Sequence, residues 1–207
     1  MKAFEKWLAN TPHAVTLFVI ADLFESDGFS EWFTALLANH GERLTVGCHG
    51  LTHRSWSAWP EDGEGFEASL KQATAVLKEK AGGHFRPWFR APAGYIAPWM
   101  ATTLAGQGYT VDSSVNPSWL VRKKAGKGNS WADVNDAMAQ QGVLERPWAT
   151  RFSLPVNGPA LTKFPLSVIA RGVWKKAPSV LTGSELDAAV PDSTQPLVTL
   201  YWHVLDH

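Results

Sequence analysis

Leu44-Thr45-Val46-Gly47-Cys48-His49-Gly50-Leu51-Thr52-His53 is the stretch on which the reading of this chain turns. Its first five residues form a short strand-like run, and the two histidines follow from that run's C-terminal end. In a parallel α/β sheet, ligands bind where the strands end. Histidines four apart on a helical turn bring two imidazoles onto one face, at a separation that suits Zn²⁺. Structural or surface histidines produce the same spacing, so its meaning depends on the surrounding sequence.

Working outward, residues 14–20 (AVTLFVI) are a nearly continuous β-branched run, as expected of a strand covered on both faces. Before it, residues 3–10 carry Phe4, Trp7 and Leu8 at helical spacing, ended by Thr11-Pro12. Between the two strands lies a helical stripe, Trp32, Phe33, Leu36 and Leu37, which Ser30 can cap and Gly41 stops. Downstream, residues 65–81 form an amphipathic helix with Phe66, Leu70, Ala73 and Leu77 on one side. A strand at 88–90, a helix at 98–106 and a strand at 109–111 follow. Such alternation predicts an α/β fold with a parallel sheet.

The pattern weakens from 117 to 170. Basic, glycine-containing residues 123–129 read as an exposed loop, 154–159 are turn-rich, and 173–181 fit no single element. Residues 184–190 predict a short helix capped by Ser184, and 197–204 (LVTLYWHV) a final strand. No repeat or linker interrupts the chain, so residues 1–207 are expected to form one domain.

Composition excludes several classes of function. The chain is 45% hydrophobic and 18% charged, enough apolar material for a sizeable core. Lys+Arg and Asp+Glu both number 19, so no net field recruits nucleic acid or an anionic membrane. No apolar run approaches the roughly 20 residues of a membrane span. The first residues lack a signal-peptide core, which places the expectation in the cytoplasm. Cys48 is the only cysteine, so no internal disulfide forms. Eleven tryptophans suit a large core and sugar faces alike, with Trp56, Trp59 and Trp99 nearest the motifs.

Two further groups of residues carry chemistry. Arg90-Ala91-Pro92-Ala93-Gly94 follows a strand, where an Arg can orient a carboxylate and a Pro/Gly-bounded turn can present N–H groups to an oxyanion. An ordinary surface turn has the same composition. His203 ends an apolar strand-like run and is suited to proton transfer near neutral pH, although a buried structural histidine also fits that place.

Together these motifs resemble the polysaccharide deacetylase group (NodB-homology domains, carbohydrate esterase family 4), from about residue 14 to residue 203. The resemblance implies a distorted (β/α) barrel and divalent-metal-dependent removal of acetyl or similar acyl groups from N-acetylated sugars or polysaccharides. His49-Gly50-Leu51-Thr52-His53 looks like the H-[ST]-x-x-H metal motif, with Gly50 at the usual Ser/Thr position. Arg90 would position the catalytic base, and the Ala93 N–H, at a position often held by Tyr, would join the oxyanion site. In Gly108-Tyr109-Thr110-Val111-Asp112-Ser113-Ser114, Asp112 would orient or tune the catalytic histidine. His203 would be the general acid.

The family's first motif, a pair of adjacent acidic residues on strand one, does not occur ahead of residue 14. The expectation is therefore a barrel without its first strand, with open edges that a homo-oligomer could cover. Two accounts remain open: a fragment or misplaced start of an active enzyme, or a short form that recruits Asp22 or Asp27, or binds carbohydrate without catalysis. Asp22 follows its strand directly and is taken as third ligand to a metal, most naturally Zn²⁺, though a turn cap also explains it. Asp206 could orient His203 or be a terminal surface charge. A Cys48 nucleophile is disfavoured, because strand neighbours Cys48 and His49 point to opposite faces.

Overall fold

The computed structural model describes residues 1–176 and 181–203. Five parallel strands make the central sheet: β1 (Val15–Val19), β2 (Leu44–Cys48), β3 (Phe85–Phe89), β4 (Val111–Asp112) and β5 (Leu144–Glu145), in that spatial order. Sequential parallel strands need crossovers. These are supplied by α2 (Asp27–His40), α3 (Gly63–Ala81), α4 (Met100–Gly106) and α5 (Trp131–Gln140). The α/β class and parallel sheet expected from the alternation are present. Among the described residues the sheet is open, and these strands do not close the expected barrel.

Local sequence explains most of the elements. α3 buries Phe66, Leu70, Ala73, Leu77 and Ala81, one stripe at helical spacing. Its N-cap is Asp62, which accepts from the Gly65 N–H at 2.9 Å. β1 buries Val15, Leu17 and Val19 and leaves Thr16 and Phe18 half-exposed on the other face. It is covered fully on one side only, not on both. α2 begins one turn earlier than Ser30 implies; Ser30 instead donates to the Phe24 carbonyl at 3.1 Å. α1 (Lys2–Ala9) docks through buried Phe4 and Leu8, and Arg43 donates to the Leu8 and Thr11 carbonyls at 3.0 and 2.5 Å.

In the weakly patterned region, α5 carries a capping box between Ser130 and Asp133. A hairpin of β6 (Thr150–Arg151) and β7 (Leu154–Pro155) precedes α6 (Leu166–Trp174). The predicted 184–190 helix is α7 (Gly183–Ala189), capped by Thr182 rather than Ser184, with Glu185 completing the box. Its Asp187 accepts from Thr45 at 2.7 Å and pairs with Arg86, so α7 packs against β2 and β3. The final strand is corrected. Residues 197–203 make a single parallel bridge, Thr199 to Trp148, and accept one further backbone bond, from the Gly158 N–H to the Tyr201 carbonyl at 3.1 Å; Val204 lies outside the described residues. Asn157 replaces the missing ladder: it accepts from the Tyr201 N–H at 3.1 Å and donates to the Ala149 carbonyl at 2.9 Å.

Candidate functional site

The site is built where β1, β2 and β3 end. The His49 N–H donates to the Val19 carbonyl at 2.9 Å, and the Arg90 N–H to the Cys48 carbonyl at 2.9 Å. The Ala21 and Asp22 N–H groups donate to the Gly50 and Leu51 carbonyls at 3.0 and 2.9 Å. The 49–53 turn is therefore tied to both neighbouring strand ends. Gly50 has φ +90°, a left-handed conformation in which a Ser or Thr would be strained. This accounts for glycine at that position.

The His49 and His53 rings lie 5.4 Å apart between centroids, nearly edge to face. His49 Nδ1 is 2.7 Å from the Arg90 carbonyl oxygen. A carbonyl only accepts, so Nδ1 carries the proton and Nε2 presents a lone pair. Burial pushes the His49 pKa down to about 3; it outweighs the hydrogen bond to Arg90, and the nearby Arg90, His53 and His203 charges add to it. The ring is held neutral, as a metal ligand must be. His53 and His203 are exposed at the rim, and His203 is close enough to His49 to act on its charge.

Arg90 is enclosed in aromatic rings. Its guanidinium lies 4.5 Å from the Phe18 ring centroid, 5.1 Å from Tyr201 and 5.4 Å from Trp148. Nε and Nη2 donate to the Ser113 carbonyl and hydroxyl at 3.0 and 2.9 Å. Burial pushes its pKa down to about 10, against the pull of Tyr201, Asp112 and Glu145. Gly47 makes room for this stack, since a Cβ there would stand 2.7 Å from the Phe18 ring. Phe18, Trp148 and Tyr201 escaped sequence reading because each reads as ordinary core.

Ala93 sits in the 3-10 turn Pro92–Gly94 at φ +52° and is exposed. The turn's own bonds run from Gly94 to the Ala91 carbonyl and from Tyr95 to the Pro92 carbonyl, at 2.8 and 3.1 Å. Asp112 is wholly buried below, accepting from the Ser114 hydroxyl at 2.6 Å and the Ser114 N–H at 3.2 Å. Asp22 is half-buried and joins the histidine turn through its backbone. Among the described residues no group of three His, Cys, Asp or Glu side chains is arranged to hold a metal ion. The structure thus brings His49, His53, Arg90 and His203 to one end of the sheet, and Asp206 lies outside the described residues.

Cys48 belongs to the opposite face. Burial pushes its thiol up to about 11. Tyr109 bonds that thiol, and the Tyr109 hydroxyl lies 2.7 Å from Thr74, which donates to the Leu70 carbonyl at 2.7 Å. An uncharged chain of this kind anchors β2 on α3 and leaves no thiolate for catalysis. Trp56 is buried, Trp99 packs against Phe66, and Trp59 alone of the three is 64% exposed.

No protein-family model matches the sequence, and no curated protein matches it. Two solved structures share the fold. One is a protein assigned as a polysaccharide deacetylase from Mycobacterium smegmatis, 19% identical, with a TM-score of 0.50 over 97% of this chain and 61% of that one. The other is IcaB from Ammonifex degensii, 22% identical, with a TM-score of 0.50 over 84% of this chain and 66% of that one. The chain therefore spans less than two thirds of the length of either. At these identities the likeness is one of fold. No helix among the described residues is long and apolar enough to cross a membrane.

Proposed function

We propose that this scaffold supports deacetylase chemistry: hydrolysis of an acetyl or similar acyl amide on a sugar or polysaccharide, assisted by a divalent metal, most naturally Zn²⁺. One observation carries the reading. His49 is neutral, its Nδ1 proton is committed to Arg90, and its Nε2 is left as a ligand beside His53. Two imidazoles fit half of a catalytic zinc site, and Asp22, tied to the same turn, is the proposed third ligand. A bound ion would supply Lewis acidity toward the acyl carbonyl and the attacking water.

The chain's own residues would do the rest. The Ala93 N–H, which the turn's bonds do not use, would donate to the developing oxyanion. As water oxygen bonds the acyl carbon and the C–N bond breaks, His203 would pass a proton to the leaving amine. Arg90 would hold the turn, with Asp112 beneath as tuning charge, and the water proton would pass to a carboxylate on a strand added beside β1, which Arg90 would orient. A strand at the outer edge of β1 would complete the barrel, whether from the same protein or from a second copy.

Elemental analysis tests the metal assignment: His49→Ala and His53→Ala should each lose bound Zn²⁺, and undiminished zinc in both variants refutes it. Acetate release from N-acetylated oligosaccharides, above a chelator-treated control, tests the activity; His203→Ala should lower it about 10²–10⁴-fold. A second reading is favoured by the lack of a three-ligand group among the described residues and by exposed Trp59 and Trp119: carbohydrate binding without catalysis. Oligosaccharide binding with no acetate release supports that reading.

A further inference from the structure

We infer that Asp112 and Glu145 share one proton and together form the buried counter-charge that positions Arg90 and the turn behind it, which makes Glu145 a positioning residue of the site. The two are register partners on adjacent parallel strands, so their side chains leave the sheet on the same face. Asp112 is wholly buried, and both its oxygens already accept from Ser114. Glu145 Oε1 accepts from the Val115 N–H at 3.2 Å. Its Oε2 is closed off from solvent and has no hydrogen-bond partner of its own.

An ionised oxygen in that position is left unsatisfied, whereas a protonated one donates to the Asp112 carboxylate. Charge balance points the same way. Arg90 is the cation facing the pair, from the end of β3; two ionised carboxyls would leave a net buried charge, and one proton between them cancels it. Arg146, the next residue after Glu145, turns its guanidinium away to the Ala189, Val190, Asp192 and Gln195 carbonyls. On α5, packed against β5, Asp133 and Asp136 are exposed. Burial raises the pKa of both carboxyls, most for Glu145, whose proximity to Asp112 adds to the rise.

The pair reaches the site along hydrogen bonds. The Ser114 hydroxyl donates to Asp112 and accepts from the Ala91 N–H at 2.8 Å. The Ser113 hydroxyl accepts from Arg90 and donates to the Arg146 carbonyl at 3.0 Å. Arg90 and Ala91 are thus pinned together, and the Arg90 carbonyl sets the His49 tautomer. Only the link from that tautomer to metal binding rests on the deacetylase reading.

Two measurements on the metal-free chain test the inference. A group with a raised folded pKa loses stability as pH climbs above the ordinary carboxyl range, because the unfolded chain ionises first. The wild-type unfolding constant should therefore rise relative to that of Glu145→Gln by up to tenfold per pH unit above about pH 4.5. Gln keeps a donor toward Asp112 and needs no shared proton, so parallel pH profiles overturn the inference. Nitrogen NMR of His49 should show the Nδ1–H tautomer in wild type and Glu145→Gln, and a mixture in Glu145→Leu. An unchanged tautomer in a folded Glu145→Leu overturns the positioning role. Failure of wild type to bind Zn²⁺ would sink the deacetylase reading and leave both results standing.

Discussion

Gly94 and Gly106 show how little residue type says without its conformation. Gly94 has φ +71°, and a Cβ there would stand 2.9 Å from the Trp148 ring and 3.3 Å from the Ser114 carbonyl oxygen. Gly106 ends α4 in open space with no left-handed φ. Gly94→Ala should therefore cost more than about 1 kcal/mol, and Gly106→Ala should gain about 0.5 kcal/mol. Urea unfolding of the two variants checks the contrast, and equal midpoints refute it. The same logic applies to Ala93, whose left-handed φ sits in the turn assigned to the oxyanion. At this scale the motif letters of the site were legible, because H-x3-H and R-x-P-x-G are contiguous. Glu145 was not, since its meaning comes from Asp112 on the neighbouring strand.

Among the elements, α3 and α7 are held in different ways. Leu77 on α3 is fully buried, and Leu77→Ala should cost about 2–5 kcal/mol by transfer and cavity terms together. A thermal midpoint unmoved by that change would mean the helix does not pack as described. α7 is short, and its hold on the sheet runs through polar contacts, Asp187 to Thr45 and Arg86 on one side and Arg146 to its Ala189 carbonyl on the other. Asp187→Ala should speed hydrogen exchange in α7 while leaving α3 protected, since local opening follows the weakest attachment. Uniform acceleration across both helices would show instead that they unfold as one unit. Helix α3 was legible as an amphipathic stripe. The location of α7 was not, because its decisive partners lie more than 100 residues away.

For the whole molecule, a ligand that binds only the folded chain raises stability by mass action. At about 100 times its dissociation constant Zn²⁺ should add about 2.7 kcal/mol, or roughly 5–10 °C in Tm for a chain of this size. Chelator should reverse the shift and His49→Ala should abolish it; a shift that survives in His49→Ala assigns the metal elsewhere. Among the described residues β1 pairs with β2 alone, so its outer edge is where another strand could add. The sequence by itself determined the α/β alternation, the strand-end placement of His49 and Arg90, and the resemblance to the deacetylase scaffold, because hydrophobic period and contiguous motifs are local properties. Only the tertiary structure decided that the sheet among the described residues is open, that residues 197–203 bond to Asn157 in place of a ladder, and that Phe18, Trp148 and Tyr201 wrap Arg90. These depend on contacts between distant segments and on which buried polar groups find partners, and no local period records either.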